Sequence, residues 1–286
     1  MSAVKILKVV AAATGFAVTG IGASAADLYV SPSGSDETGD GSKALPYKTI
    51  QCAVDHSADH DWIYVAGGTY GESVVTPTYR YFSGSWNADF TARDLRNGRS
   101  VVISTSTASP CLSITAVAGT NVVSGFTFTG GSDGVQCKST KGSSSNDQDG
   151  SYHIFSQLIV TNNVDGLAFA GSFPSLCLIS SLVADNSGNG YYQNSNHGTL
   201  AYMYNCTLAN NGKGICRDNQ YTAQQTCRNC VFVGNLAGGR TSTAYTTFNH
   251  CWFTAVPTSQ YAVLSDCRTD FESFGNFGIS TEGKIF

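Results

Sequence analysis

Five segments of the chain repeat one pattern, in which apolar strand residues are followed by Asn, Gly or Ser and then by a glycine. The segments begin at Ser124, Ser156, Ser180, Asn205 and Asn229, and they close at Gly134, Gly166, Gly190, Gly214 and Gly238. The last three intervals between these glycines are equal and the first is longer. A period of about 24 residues is typical of a solenoid, in which each repeat packs on its neighbours.

Alternation within the segments predicts two inward-facing columns of strand residues. The first column contains Phe128, Val160, Ala184, Leu208 and Phe232, and the column two positions earlier contains Phe126, Leu158, Leu182, Cys206 and Cys230. Asparagines recur before the glycine, and their stacked amides are expected to hydrogen-bond from coil to coil. They are Asn162, Asn163, Asn186, Asn210, Asn211 and Asn235. The glycine is expected where the chain turns sharply, often at positive φ.

One repeat cannot bury its apolar face, but a stack of repeats can. Parallel crossovers are overwhelmingly right-handed. The sequence therefore predicts an all-β fold, a right-handed parallel β-helix. Tyr47 to His56 is the exception, because Ile50, Ala53 and Val54 lie at helical spacing, and this segment predicts a short N-terminal helical cap.

The segment before Ala26 has the pattern of an export signal. Lys5 and Lys8 precede an apolar stretch, and Ala23-Ser24-Ala25 supplies small residues for cleavage, so the mature chain is expected to begin near Ala26. An uncleaved membrane anchor is the alternative. The predicted organisation is a signal peptide (1–25), a cap with the first coils (26–100), repeated coils (101–267) and a C-terminal tail or cap (268–286). A secreted, periplasmic or cell-surface location follows.

Composition argues against a nucleic-acid partner. Only 13% of the residues are charged, the formal net charge is −4, and no cluster of Lys and Arg with interleaved aromatics occurs. No later segment is apolar for long enough to span a bilayer. The C-terminal edge of the stack is a candidate surface for self-association.

Ten cysteines follow the signal segment, in a compartment where disulfides persist. Cys206 and Cys230 lie one coil period apart, as do Cys227 and Cys251, so both pairs are disulfide candidates. Stacked free thiols are the alternative for the first pair. A zinc site at Cys227-x-x-Cys230 is less favoured, because the intervening residues belong to the coil pattern.

The N-terminal region resembles a known superfamily. Leu28 to Val74 reads LYVSPSGSDETGDGSKALPYKTIQCAVDH, followed by DWIYVAGGTYGESV, and is similar to the first unit of pectate-lyase-like right-handed β-helix proteins. The segment YRYFSGSWNADFTARDLRNGRSVVIS resembles relatives of the polymorphic outer-membrane proteins. The resemblance implies the fold, whereas such folds host lyases, hydrolases, esterases and adhesins.

Lyases of that superfamily combine acidic Ca²⁺ ligands with a Lys or Arg that takes the proton beside a uronate carboxylate. The residues before the turn glycines place Asp133 beside Asp165, and Lys213 two coils further on. Asp133 and Asp165 are therefore candidate Ca²⁺ ligands, and Lys213 and Arg217 are candidate catalytic residues. The alternative is that Asp-Gly and Asn-Gly are simply favourable turn dipeptides.

Aromatic and basic residues could bind sugars, because apolar C–H faces pack on rings. The candidates are Trp86, Tyr191, Tyr192 and Arg240. The leading hypothesis is a secreted or cell-surface β-helix protein that binds acidic polysaccharide, with cleavage as a lyase left open. The expected partner is a polysaccharide or a cell-surface glycan. A non-enzymatic structural or adhesive protein is the alternative.

Overall fold

The computed structural model describes residues 25–77, 79–116, 119–139, 151–171, 174–195, 200–217, 224–235, 246–254 and 262–268. Their strands form three sheets, and every pairing between the named strands is parallel. From Trp62 to Val233 the chain visits the three sheets in turn and advances by one strand on each circuit, and the strands described beyond Val233 belong to the ten-stranded and eight-stranded sheets. The predicted right-handed parallel β-helix is confirmed.

Ten strands form the sheet on which each full coil begins. They are β1 (Asp27–Val30), β2 (Trp62–Ala66), β5 (Tyr81–Trp86), β8 (Gly119–Ser124), β11 (Ser151–Ser156), β14 (Ser175–Ile179), β17 (Leu200–Tyr204), β20 (Gln224–Arg228), β22 (Thr246–Asn249) and β24 (Ala262–Ser265). The eight-stranded sheet contains β3 (Gly68–Gly71), β6 (Ser100–Ile103), β9 (Phe126–Thr129), β12 (Ile159–Thr161), β15 (Leu182–Ala184), β18 (Thr207–Ala209), β21 (Val231–Val233) and β23 (Trp252–Phe253). The six-stranded sheet contains β4 (Val74–Thr76), β7 (Leu112–Ala116), β10 (Asp133–Ser139), β13 (Asp165–Gly171), β16 (Asn189–Ser195) and β19 (Lys213–Arg217).

The predicted N-terminal helix is α1 (Ile50–Asp55), which packs against β1, β2 and β4. Its buried residues are the predicted Ile50, Ala53 and Val54. The Glu72 carboxylate accepts hydrogen bonds from the first two backbone N–H groups of the helix, at 2.8 and 2.9 Å. Those groups have no partner within a helix, so Glu72 stabilises its start. Within the described residues, no helix has the length and hydropathy that a membrane span requires.

The interior column of the eight-stranded sheet differs from the predicted column at one coil. Val160 pairs with Val183, and Val183 with Leu208, so Ala184 and Leu182 do not occupy the expected inward positions. The turn of that coil is longer by one position, since Gly190 is the fourth residue after Asn186 whereas Gly166 is the third after Asn163. The sequence alignment on the repeated glycines therefore misplaces this strand by one residue. Because side chains alternate along a strand, this error assigns its outward residues to the interior.

The sharp bends of the coils are made by residues other than the repeated glycine. Positive φ angles occur shortly before four strands of the six-stranded sheet, at Gly130, Asn162, Asp185 and Asn210. A second set bends the chain between the ten-stranded and eight-stranded sheets, at Gly125, Gln157, Ser180, Asn205, Asn229, His250 and Asp266. Asn and Asp tolerate this conformation better than most residues.

The repeated glycine is required for close packing, so the expectation of positive φ was wrong. A Cβ atom on Gly134 would lie 2.8 Å from the Gly166 carbonyl oxygen, and one on Gly166 would lie 2.5 Å from the Gly190 oxygen. Real Cβ atoms do not approach backbone so closely. Glycine at this place lets neighbouring coils stack at strand spacing.

The predicted ladder of asparagine amides is confirmed. The side-chain amide of Asn163 donates to the Asn186 oxygen at 3.2 Å, Asn186 to Asn211 at 2.8 Å, and Asn211 to Asn235 at 3.0 Å. Each of these oxygens also accepts the backbone N–H of the preceding ladder residue. The ladder thus satisfies buried polar groups that would otherwise destabilise the turn.

The ladder predicts a specific loss of stability. Asn186→Ala removes the central amide and leaves the Asn163 backbone N–H and the Val160 carbonyl without these partners, so the free energy of unfolding should fall by about 2 to 3 kcal/mol. Urea unfolding followed by circular dichroism measures the change. Asn162→Gly is the matched control, because Asn162 is exposed, lies at positive φ and is not part of the ladder. Equal losses in both variants would contradict the assignment.

A buried polar group lies at the corner between the six-stranded and ten-stranded sheets. His153 is 1% exposed, and its ring lies near the rings of Phe155 and Phe169. Its Nε2 lies 3.2 Å from the Ser151 hydroxyl, and its Nδ1 has no hydrogen-bond partner among the described residues. Burial lowers the pKa of His153 to about 3.

His153 should make the fold sensitive to acid. The unfolded chain takes up a proton below about pH 6.5, whereas the folded chain does so only near pH 3, so stability should fall as the pH drops between these values. Between pH 7 and pH 5, His153 should lower the free energy of unfolding by about 2 kcal/mol. His153→Leu, which copies Leu176 of the next coil, should remove this part of the pH dependence in urea unfolding. The control is His250→Asn, which replaces an exposed histidine. If the stability of His153→Leu fell on acidification as much as that of the unmodified protein, the role of His153 would be refuted.

Candidate functional site

The structure brings the two predicted acidic residues together but does not leave both exposed. Asp133 and Asp165 are register partners on β10 and β13. Asp133 is only 7% exposed, and its carboxylate accepts hydrogen bonds from Ser132 and Gln136 at 2.9 and 3.0 Å. Burial raises the pKa of Asp133, and the nearby Asp165 adds to this effect. The position of Asp133 before a turn glycine predicts an outward-facing, exposed side chain, and the structure shows that this side chain is buried.

The Asp165 carboxylate also has protein partners. Its Oδ1 accepts the backbone N–H and the side-chain amide of Asn189, at 2.7 and 2.8 Å. In the part of the chain that the structure describes, no three His, Cys, Asp or Glu side chains form a group able to hold a metal ion. The bonds to Ser132 and Gln136 occupy Oδ2 of Asp133, and the bonds to Asn189 occupy Oδ1 of Asp165. The role of the two carboxylates as Ca²⁺ ligands stays a prediction.

The candidate catalytic residues lie on β19. Lys213 pairs with Asn189, which places it two coils from Asp165, as predicted, with an exposed side chain. Its Nζ lies 3.8 Å from the Cys216 sulfur. The backbone of Arg217 pairs with Gln193, and its side chain lies outside the described atoms. The catalytic roles of Lys213 and Arg217 stay predictions.

The predicted sugar-binding residues are dispersed over the molecule. Tyr191 is 1% exposed, and its hydroxyl donates to the Gln193 side chain at 3.1 Å inside the coil, so it cannot provide a sugar platform. Tyr192 is half-buried on the six-stranded sheet, and Trp86 lies at the end of β5 on the ten-stranded sheet. Arg240 lies outside the described residues.

Trp86 belongs to a larger aromatic surface on the outer face of the ten-stranded sheet. This aromatic surface is formed by half-buried rings of three neighbouring strands, Tyr29, Trp62, Tyr64, Tyr81 and Trp86. Tyr64 is the centre, because its ring centroid lies 5.2 Å from that of Tyr29, 5.9 Å from Trp62 and 5.5 Å from Trp86. Trp62 and Tyr81 lie 5.1 Å apart. The rings thus form one continuous contact area.

The Tyr81 column continues along the molecule as buried apolar residues, since Val122 is 1% exposed and Ile154 and Cys177 are each 7% exposed. Tyr81 pairs with Val122, and the same column continues through Ile154 and Cys177 to Tyr202, so it is apolar over four further strands. These side chains form a cluster separate from the interior core. Tyr202 and Tyr204 lie near its far end, with parallel rings 6.4 Å apart. Sequence reasoning missed this face, although its signal is present in the alternating aromatics Trp62-x-Tyr64 and Tyr202-x-Tyr204.

Charged groups lie at the edge of the aromatic surface. The Lys43 ammonium lies 5.2 Å from the Tyr29 ring centroid, a cation–π distance. Desolvation raises the pKa of the Asp27 carboxyl, and a hydrogen bond from Tyr64 opposes the shift. Desolvation likewise raises the pKa of Tyr29. At the far end, the exposed Arg228 pairs in register with Tyr204.

A known pectate lyase matches part of the chain. The chain is 42% identical to pectate lyase PEL9 of Emericella nidulans over 82 residues. The predicted resemblance to pectate-lyase-like proteins is confirmed. The match takes in 28% of this β-helix chain and 18% of the relative, so the chain matches less than a fifth of that enzyme's length.

The structural comparison gives a more distant neighbour. Pectin methylesterase PemA from Erwinia chrysanthemi superposes with a TM-score of 0.49 and 11% sequence identity, over 85% of this chain and 93% of that chain. No protein-family model matches the chain.

All ten cysteines of this β-helix protein are free thiols in the structure. Cys206, Cys230, Cys251 and Cys267 stack in one column, and each thiol lies 3.2 to 3.4 Å from the carbonyl oxygen two positions earlier. Cys206 and Cys230 are neighbours, as predicted, without a disulfide. Cys227 pairs with Phe248 and not with Cys251. The coil from Cys227 to Phe248 contains fewer residues than the preceding coil from Met203 to Cys227, so the expected pairing of Cys227 with Cys251 does not form.

The ten free thiols predict how many alkylation labels the protein takes up. Alkylation in denaturant without reductant should add ten labels, and prior reduction should not change that number, as read by intact mass. In the folded protein only Cys52 and Cys267 should be labelled, since the other eight side chains are buried. A mass corresponding to eight or fewer labels before reduction would show a disulfide and contradict the structure.

Proposed function

We propose that the protein is secreted or displayed at the cell surface and binds acidic polysaccharide along the aromatic surface. The continuous row of five half-buried rings on β1, β2 and β5 carries this proposal. Sugar rings present apolar C–H faces that pack on aromatic rings, while their hydroxyls stay in water. Neighbouring strands are about 4.8 Å apart, so rings on successive strands offer several adjacent contacts to one extended chain.

The acidic class of ligand rests on two further points. Lys43 at one end of the apolar face and Arg228 at the other provide positive charge for uronate carboxylates. The partial sequence match is to a protein named pectate lyase, and pectate is an acidic polysaccharide. Pectate is therefore the first ligand to test.

Cleavage of the same polymer is the catalytic form of the proposal. Lys213 would take the proton beside a uronate carboxylate, and Arg217 would assist, with Asp133 and Asp165 as predicted Ca²⁺ ligands. The hydrogen bonds already made by both carboxylates favour the alternative, a structural or adhesive protein that binds without turnover. The acidic pair and the aromatic surface lie on different sheets, so binding and cleavage can be tested separately.

Binding should depend on the aromatic surface. Tyr81→Ala and Trp62→Ala should each lower the affinity for polygalacturonate about 5- to 10-fold, because each removes one stacking contact of about 1 kcal/mol. Affinity electrophoresis in polygalacturonate gels measures the change, and circular dichroism checks the fold. Trp252→Ala, which removes a half-buried ring of the eight-stranded sheet, is the control and should bind like the unmodified protein. Equal retardation of all variants would overturn the proposed binding face.

Catalysis is tested by product formation. The protein is incubated with polygalacturonate, with and without Ca²⁺, and unsaturated uronate is followed by ultraviolet absorbance. If product forms, Lys213→Ala should abolish it, whereas the exposed Lys48→Ala should not. Turnover by Lys213→Ala would refute its role as the base. Absence of product with bound polymer would establish the non-catalytic alternative.

A further inference from the structure

Asp61 is a buried carboxylate at the start of β2. It is 5% exposed, and both oxygens accept backbone N–H groups, Oδ1 from Ala26 and Oδ2 from Ala58, each at 2.7 Å. Among the residues that the structure describes, no basic side chain forms an ion pair with it. A buried carboxylate without a cation is unfavourable unless another charge compensates for it.

The neighbouring residue Ala26 can supply the charge that compensates for the Asp61 carboxylate. Ala26 follows Ala23-Ser24-Ala25, the small residues that predict a cleavage site. Ala25 and Ala26 are both exposed, so a peptidase can reach the bond between them. If that bond is cut, the nitrogen that lies 2.7 Å from Asp61 becomes an α-ammonium group.

We propose that the mature chain begins at Ala26 and that its new ammonium group forms an ion pair with Asp61. Water adds across the Ala25–Ala26 peptide bond and the C–N bond breaks. Ala25 leaves with a carboxylate, and the Ala26 nitrogen takes up a proton. Asp61 is thus a binding site for the processed amino terminus.

The surrounding backbone holds this terminus in place. The Ala26 carbonyl oxygen accepts the Trp62 N–H at 2.9 Å, and the next residue, Asp27, pairs with Trp62 at the start of the ten-stranded sheet. The ammonium is therefore fixed by the same pairing that begins the β-helix. It also lies next to Asp27, whose charge is repelled by Asp61, so one positive charge relieves both carboxylates.

The cleavage position is tested in a secreting bacterial host. The full chain is produced with its own segment from Met1 to Ala25, and the exported protein is analysed by intact mass and amino-terminal sequencing. The expected first residue is Ala26. A mature chain that begins at any other residue, or one that keeps the segment from Met1 to Ala25, would overturn the proposal.

The ion pair is tested by moving the charge. A chain that begins at Ala26 is compared with one that carries a single extra Gly before it, which keeps the Ala26 N–H but moves the ammonium away from Asp61. The folding equilibrium constant, from urea unfolding, should be about tenfold higher for the Ala26 start. Asp61→Asn should abolish the difference, and the exposed Glu37→Gln should preserve it. Equal stability of the two unmutated chains would refute the pairing.

Discussion

Backbone hydrogen bonding between successive coils is the interaction on which the rest of the structure depends. Each strand inside a sheet pairs in parallel with the strand one coil before and one coil after it, so every turn must bring the chain back to nearly the same place. A buried turn leaves N–H and carbonyl groups that must find partners. The asparagine ladder from Asn163 to Asn235 provides them, and the repeated glycine allows the coils to approach closely enough to form it.

The same register determines the surface. Because equivalent residues of successive coils lie side by side, an outward residue type that recurs becomes a row across the sheet. On the ten-stranded sheet this arrangement turns separate aromatic residues such as Trp62, Tyr64 and Tyr81 into one contact area. In another column it stacks four thiols that need no covalent bond, since each lies within hydrogen-bond distance of a nearby carbonyl oxygen.

Interior polar groups mark the places where the pattern is interrupted. His153 occupies an inward position that Leu176 fills in the next coil, and its burial disfavours the protonated ring. Asp61 is buried where the first strands begin, beside the Ala26 nitrogen. Both groups lie near positions where the chain enters the ten-stranded sheet.

The sequence by itself determined the repeated coil, the helical cap over Ile50, Ala53 and Val54, and the asparagine ladder. Each depends on local spacing, and each recurs or lies within one short segment. Only the tertiary structure decided that Tyr191 faces the interior, that Cys227 lies opposite Phe248, and that Trp86 joins four other rings. The number of residues in a coil varies among the later coils. More residues separate Val183 from its partner Leu208 than separate Phe232 from its partner Phe253. A single added or lost residue reverses which side chains face inward, so neighbours across coils are known only when every strand is placed.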